Sequence, residues 1–313
     1  MASWLFKSAV HRILSLMPAS RWLNELFQTH ISHSLDFGQE QLRDRLNHCH
    51  LFLEHLRKND INAKGLHILE LGTGWYPILP LGFYLSGADE IWTFDIKPLL
   101  KSARLLNLIR LIREADTDGS LHKMLPEVQP ARVTDLLRAE KDSANTPPDQ
   151  ILERFGIHLL VGDARSTGLL PETIDFFFSY SVLEYISSSG LIELYKEFAR
   201  IATSNAISIH YVNCGDQYSI FDKTITPYNF MRFTKYQWRW LNSALNPLTR
   251  MRISDHRNSL LKGGWNIIEE VRTPINFAVL DTIPLAPEFQ KYSREDLAVL
   301  RAWLISKPIK HFH

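Results

Sequence analysis

The sequence predicts an α/β fold: a seven-stranded sheet, mostly parallel with an antiparallel C-terminal strand, and helices on both faces. Three observations predict it. Residues 67–96, HILELGTGWYPILPLGFYLSGADEIWTFDI, set two apolar runs on either side of a glycine turn and an apolar helical stretch. That is strand, helix and strand in one compact unit, whose parallel strands must cross over right-handedly. Further apolar runs at 158–164, 174–186 and 206–216 repeat the alternation. The last two strand candidates, 265–271 and 297–305, lack an obvious crossover helix between them and are expected to be antiparallel. A chain of 313 residues can bury one large core or two modest ones, and we expect one α/β domain with additions.

From the N-terminus, MASWLFKSAVHRILSLMPAS places Leu5, Phe6, Val10, Ile13, Leu14 and Met17 at spacings that fit an amphipathic helix. Lys7, His11 and Arg12 interrupt it, which excludes a continuous signal-type apolar segment, and no later run reaches the ~18 apolar residues of a membrane span. Two readings stand for this helix: a cover over the domain's own core, or a peripheral contact with a membrane or partner. Residues 38–60 then bring Leu42, Leu46, Leu51, Phe52, Leu53 and Leu56 to nearly helical spacing. Residues 1–63 are thus a helical extension and 64–313 the α/β domain.

The domain begins with the strand His67–Leu71, turns at Gly72 and Gly74, continues as a helix through Pro80–Ser86 and reaches the strand Glu90–Phe94, which ends at Asp95. Residues 98–156 delay the next strand. Leu99–Ile112 and the leucine-bearing stretch after Pro130 look helical, and SANTPPDQ at 143–150 is a loop, so this is a helical insertion rather than a second domain. HLLVGDA (158–164) is a strand ending in Gly162 and Asp163, IDFFFSYSVLEYI (174–186) a buried strand giving way to a helical start, and AISIHYVNCGD (206–216) a strand ending in polar residues. An amphipathic helix, Leu191–Ile201, joins the last two. In SDHRNSLLKGG (254–264) a helix ends at Gly263 and Gly264, which suit a left-handed cap, before the strand WNIIEEV (265–271) and the run LAVLRAWLI (297–305).

The composition, 45% hydrophobic and 22% charged, is that of a soluble globular protein. Lys and Arg together number 35 against 34 Asp and Glu, so no global field draws the chain to nucleic acid, which is not an expected partner. Cys49 and Cys214 are far apart and belong to no metal-type spacing, which fits a reducing cytoplasm and no metal site.

The glycine turn sets the chemistry. In an open parallel sheet, ligands bind beyond the carboxyl ends of the strands. Gly72 and Gly74 allow a sharp turn and a close backbone approach, while Asp95 can accept both hydroxyls of a ribose. The pair fits an adenosine-containing ligand. The third glycine of the dinucleotide pattern is missing, since Trp75, Tyr76 and Pro77 follow instead and would crowd a pyrophosphate. Glu70 before the glycines, Asp163 after a third strand and the antiparallel close of the sheet also point away from nicotinamide cofactors.

These residues resemble the class I S-adenosylmethionine-dependent methyltransferase family, with its Rossmann-like sheet. The resemblance is carried by ELGTG (70–74), FDI (94–96), GDA (162–164), IDFFFSYSVLEYI (174–186) and SLLKGGWNIIEE (259–270), and covers residues 64–308 less the insertion. It implies that S-adenosyl-L-methionine is the cofactor. Glu70, Gly72, Thr73 and Gly74 would then lie against its methionine and ribose portions, Asp95 with Ile96 would hold the ribose, and Asp163 with Ala164 the adenine. Ser179 joins the same set.

Methyl transfer to a hydroxyl needs a base, expected at the ends of the fourth and fifth strands. Ser179, Tyr180, Glu184, His210, Asp216 and Tyr218 stand there. His210 is the expected base because imidazole titrates near neutrality, and Asp216 would orient it or take the proton itself. The segment TPYNFMRFTKYQWRWLN (226–242) interleaves six aromatics with Arg232, Lys235 and Arg239. It reads as a helical cap over an acceptor pocket, as a base-stacking surface, or as core. The expected activity is methylation of a small-molecule or saccharide acceptor at a hydroxyl. A non-catalytic S-adenosylmethionine-binding or interaction protein is the alternative, and a nicotinamide oxidoreductase the next.

Overall fold

A computed structural model describes residues 37–141, 146–242, 247–273 and 275–309. The amphipathic helix expected within the first twenty residues lies outside the described residues. Among the described residues, β1 (His67–Leu71), β2 (Glu90–Asp95), β3 (Ile157–Val161), β4 (Ile174–Tyr180), β5 (Ala202–Asn213), β6 (Trp265–Arg272) and β7 (Arg301–Pro308) form one sheet. Its order is β3-β2-β1-β4-β5-β7-β6. The first five strands run parallel, and β7 lies antiparallel between β5 and β6. This is the mostly parallel Rossmann-like sheet with an antiparallel C-terminal strand that the sequence predicts.

Strand alternation builds the two faces. In IDFFFSY the side chains of Phe176 and Phe178 join one apolar cluster while Phe177 joins the other, as the two-residue period of a strand requires. The first face is covered by α1 (Gln39–Lys58), α2 (Ile78–Leu85), α3 (Ser102–Thr117), α4 (Ser120–Met124), α5 (Pro130–Arg138) and α6 (Pro148–Glu153). The opposite face is covered by α7 (Ser188–Ile201) and, after the short α8 (Tyr218–Phe221) and α9 (Lys235–Leu241), by α10 (Ile253–Lys262). The insertion therefore adds apolar residues such as Leu108, Ile112 and Leu136 to the sheet's own core.

Several boundaries differ from the sequence reading. The helix expected from Leu191 begins at Ser188, because the Ser187 side chain caps it by accepting from the Gly190 amide at 3.2 Å. The strand expected from Ala206 begins at Ala202, directly where α7 ends. Of the glycine pair after α10, Gly264 alone is left-handed (φ 89°), while Gly263 sits at φ −85° as the C-cap. The apolar run 297–305 is split: Leu297 and Ala298 close α12 (Arg294–Ala298), which follows α11 (Phe277–Leu280), and the strand starts at Arg301.

Segment 226–242 forms a 3₁₀ turn at Asn229–Arg232 followed by α9. Tyr228, Phe230, Met231 and Trp238 are buried in a third apolar cluster with Leu280, Phe289 and Leu297, so its inner aromatics are core, whereas Tyr236 and Trp240 are exposed. No helix among the described residues is long and apolar enough to cross a membrane. Cys49 and Cys214 are both free and buried.

Helix α1 meets the sheet through Phe52, fully buried, whose ring lies 4.9 Å from Trp303, 5.2 Å from Phe178 and 6.2 Å from Phe83. Phe52→Ala leaves a cavity bounded by rings that cannot collapse into it. It is expected to cost about 3–5 kcal/mol, read as a lowered urea midpoint at unchanged slope.

Candidate functional site

The chain runs outward from β1 through β2 to β3 and returns to the other side of β1 with β4. This reversal leaves a crevice beyond the strand ends between β1 and β4, where open parallel sheets bind ligands. A cavity of about 1030 Å³ lies there, at the upper end of the range for small-molecule sites. It is lined by the loop after β1, the ends of β2 and β4, the loop after β3 and the start of α1.

The floor is the glycine turn. Gly72 (φ 85°) donates its amide to the Phe94 carbonyl at 2.7 Å, and a Cβ there would collide with Val182. Gly74 (φ 69°) faces open space, with no atom within 4 Å of where its Cβ would be. The first glycine thus serves packing, and the second leaves the backbone bare to the cavity. Thr73 is buried and shares a short hydrogen bond with Thr93. Thr93 in turn donates to Glu70 Oε2 at 2.5 Å. Burial pushes Glu70 up to about 8, chiefly against the opposing hydrogen bond from Thr93.

Asp95 is held across this turn. Its Oδ2 accepts from the Gly74 amide at 2.9 Å and its Oδ1 from the Lys97 amide at 3.0 Å. A carboxylate offers about four acceptor positions, so each oxygen keeps one for a ligand. Two adjacent acceptors match a vicinal diol. Ile96 beside it is 73% exposed and lines the cavity, an apolar surface on which a flat ring can lie.

Asp163 and Ala164 line the cavity from the loop after β3. Asp163 is engaged by its neighbour: Arg165 donates through its amide and Nε to Oδ1, at 3.0 and 2.9 Å, and through Nε and Nη2 to Oδ2, at 2.9 and 2.5 Å. The Arg165 hydrogen bonds hold the Asp163 carboxyl below its usual range. Both side chains are exposed, so a ligand amino group can replace the guanidinium at little cost.

The structure does not bring Ser179, His210 and Asp216 to this cavity. Ser179 and His210 are register partners on β4 and β5 and point into the core. Ser179 Oγ bonds His210 Nδ1 at 2.8 Å, and Ser208 Oγ bonds Nε2 at 2.6 Å, so both ring nitrogens are occupied. Burial, then the nearby His256, pushes His210 down to about 3. Asp216, 2% exposed, accepts from the Tyr218 amide at 2.9 Å and from Asn229 Nδ2 at 3.1 Å, tying the loop after β5. Burial pushes it up to about 6. Among the described residues no group of three or more His, Cys, Asp or Glu side chains is placed to hold a metal ion.

Tyr180 and Ser181 line the cavity from the end of β4. Ser181 is a non-glycine residue at φ 55°, and its amide donates to the Tyr211 carbonyl at 2.9 Å, a conformation that packed surroundings must impose. Helix α1 adds Gln41, Asp44 and Arg45 to the wall. With His48 these polar residues recur at helical spacing, and that stripe is the sequence signal for this wall. Trp75 and Tyr76 border the cavity without closing it: Tyr76 stacks on Phe37 at 4.2 Å, and Arg104 lies 4.5 Å over the Trp75 ring.

No family model matches the chain, and no curated protein matches it. The chain is similar to solved structures of methyltransferases. One is a geranyl diphosphate methyltransferase in complex with SAM, with 11% identity, 86% of this chain and 90% of that chain covered, and a TM-score of 0.48. Another is the geranyl diphosphate C-methyltransferase of Streptomyces coelicolor A3(2), bound to Mg2+, geranyl diphosphate and S-adenosyl-L-homocysteine, at 11% identity, 82% and 78% coverage and a TM-score of 0.46. A third is the magnesium protoporphyrin IX methyltransferase of Synechocystis PCC 6803 with bound SAH, at 11% identity, 84% and 82% coverage and a TM-score of 0.42.

The two serines make His210 a test of core architecture. With its ring neutral when folded, the unfolded chain takes up the proton first as pH falls, so its contribution is complete above the ordinary histidine value of 6.5 and is lost toward 3. His210→Ala should cost about 2–4 kcal/mol at pH 7.5 in urea unfolding, and stability should then fall less steeply between pH 6.5 and 4 than in the parent chain.

Proposed function

We propose that the chain is an S-adenosylmethionine-dependent methyltransferase that acts in the cytoplasm on a hydroxyl of a small-molecule or saccharide acceptor. The observation that carries this reading is the Asp95 carboxylate, held by two backbone amides with one acceptor position left on each oxygen, beside the bare backbone of Gly74. The residues present fit the cofactor. Asp95 would take the ribose hydroxyls, Ile96 and Ala164 would flank the base, Asp163 would accept from its amino group, and Gly72, Thr73, Gly74 and Glu70 would receive the methionine end.

When bound, S-adenosylmethionine supplies an electrophilic methyl group on a sulfonium, and the protein's part is alignment and exclusion of water. The end of β4 stands across the cavity from β2, with Tyr180, Ser181 and Tyr185 forming the wall on that side. The acceptor would enter between this wall and α1. Phe37, Tyr76 and Ile78 offer apolar surface there, which suits a sugar ring or a flat small molecule. The volume, large for a single ligand, supports two occupants.

Hydrogen bonds to a charged group contribute about 1.5–3 kcal/mol. Asp95→Ala should therefore weaken S-adenosylhomocysteine binding by about 10–100-fold in titration calorimetry, with the unfolding midpoint kept. Incubation of the wild-type protein with methyl-labelled S-adenosylmethionine and a deproteinised cell extract should yield a labelled product stable to mild base, as an ether is. Binding without any labelled product would favour a non-catalytic binding protein. Tight NAD binding in place of S-adenosylhomocysteine would contradict both.

A further inference from the structure

We propose that Tyr180 and His48 form a two-residue base, in which Tyr180 receives the acceptor's proton while passing its own to His48 on α1. The inference rests on the methyltransferase reading and adds to it the residues that handle the proton. Tyr180 closes β4 and lines the cavity. Its hydroxyl lies 3.0 Å from His48 Nε2, and His48 Nδ1 lies 2.8 Å from the Asp44 main-chain carbonyl. A carbonyl oxygen only accepts, so Nδ1 carries the hydrogen of the neutral ring and donates it. Nε2 is then the acceptor, and the Tyr180 hydroxyl donates to it. The tautomer that a relay needs is the one the helix backbone imposes.

A phenol by itself is a poor base, since its own proton must leave. Burial holds Tyr180 well above the usual phenol range, so a standing tyrosinate is not populated and the two transfers have to be coupled. The acceptor O–H gives its proton to Tyr180 Oη as the O–H of Tyr180 gives its proton to His48 Nε2. Meanwhile the acceptor oxygen forms its bond to the methyl carbon, the bond from that carbon to sulfur breaks, and the electron pair stays on sulfur as a neutral thioether. The one positive charge of the sulfonium ends on the imidazolium of His48. Charge and atoms balance without a metal or a further reactant.

The surroundings fit this traffic. Arg45 lies 4.5 Å over the Tyr180 ring, and its positive charge favours negative charge on the phenol oxygen, partly offsetting the effect of burial; among the described residues this guanidinium has no carboxylate in ion-pair contact. Tyr211 stacks beneath Tyr180 at 4.9 Å and 8°, fixing the ring. The charged and titratable groups facing His48 are Asp44 and Arg45 on α1, Tyr180 on β4, Tyr211 on β5 and Arg301 on β7. Burial lowers His48 from the ordinary value, with Arg45 and Arg301 adding to it and Asp44 opposing. The imidazole is therefore neutral and able to accept at neutral pH. The Asp44 carboxylate stands 3.8 Å from Nδ1 to stabilise the imidazolium, and the His48 side chain keeps 18% exposure, a route for the proton to solvent. His210, fully buried and bonded through both ring nitrogens, does not line the cavity.

By this account Tyr180 is a catalytic residue and His48 a positioning residue that acts through it. Three measurements test the pair on the full chain. In imidazole nitrogen NMR of the S-adenosylhomocysteine complex, His48 should show the Nδ1–H tautomer and titrate below 6.5. An Nε2–H tautomer overturns the relay whatever the assays give. In transfer of labelled methyl from S-adenosylmethionine to the extract, Tyr180→Phe and His48→Gln should each lose about 10²-fold or more in turnover while calorimetric affinity for S-adenosylhomocysteine and the unfolding midpoint are kept. The acid limb of the wild-type pH profile, inflecting below 6.5, should vanish in His48→Gln. Turnover retained in either variant, or an unmoved acid limb, overturns the relay and leaves the methyltransferase reading standing. A wild-type chain that binds no S-adenosylhomocysteine would instead overturn that reading and the relay with it.

Discussion

The hydrogen bonds from the Gly74 and Lys97 amides to the Asp95 carboxylate are the constraint on which the rest of the site depends. The bond from Gly74 ties the turn after β1 to the end of β2, beside the reversal point of the sheet, and the bond from Lys97 fixes the start of the loop after β2. A charged acceptor fastened by backbone donors costs little to preorganise, because no side chain on the donor side has to be ordered. The turn that presents the Gly74 amide depends on glycine: Gly72 packs against Val182 where no Cβ fits, and Gly74 is left-handed beside the cavity. Strand pairing, glycine placement and the position of one carboxylate are thus a single geometric solution.

Polar groups near this point divide into two sets according to strand parity. On β4 and β5, Ser179 and His210 share one face and are sealed into the core beneath α7, whereas Tyr180 and Tyr211 share the other and meet α1. The sealed set is satisfied internally and is inert toward ligand, as a buried imidazole bonded through both nitrogens must be. The open set is incomplete without α1. That helix is anchored by Phe52 among the rings of Phe83, Phe178 and Trp303, so its polar stripe is presented to the cavity by a rigid element rather than a loop.

Much of this was legible in the residues themselves. The strand–turn–helix–strand unit declared itself because apolar run length, the glycines and the acid at 95 all agree, and the seven strands and antiparallel close follow from the same alternation. The half of the cavity floored by the loops after β1, β2 and β3 was legible for the same reason: its residues sit on adjacent strand ends, as short motifs in the sequence. The half walled by the end of β4 and by α1 was not. His210 and Tyr180 look equally well placed at strand ends, and only the register of β4 against β5 decides which face each takes. His48 lies 132 residues before Tyr180, and a polar stripe on a helix does not say what it faces. The engagement of Asp163 by Arg165, two residues on, is a local bidentate geometry that the sequence does not declare. Segment 226–242 mixes buried and exposed aromatics within one short helix, which composition cannot sort.

The most direct measurement is a crystal structure of the chain soaked with S-adenosylhomocysteine. The account predicts the ribose hydroxyls on the two unoccupied acceptor positions of Asp95, the amino-acid end over Gly72 and Gly74, and the sulfur facing the end of β4 on the side of Tyr180. Density for the ligand elsewhere, or a cleft that stays empty at saturating concentration with Asp95 turned away, would contradict it.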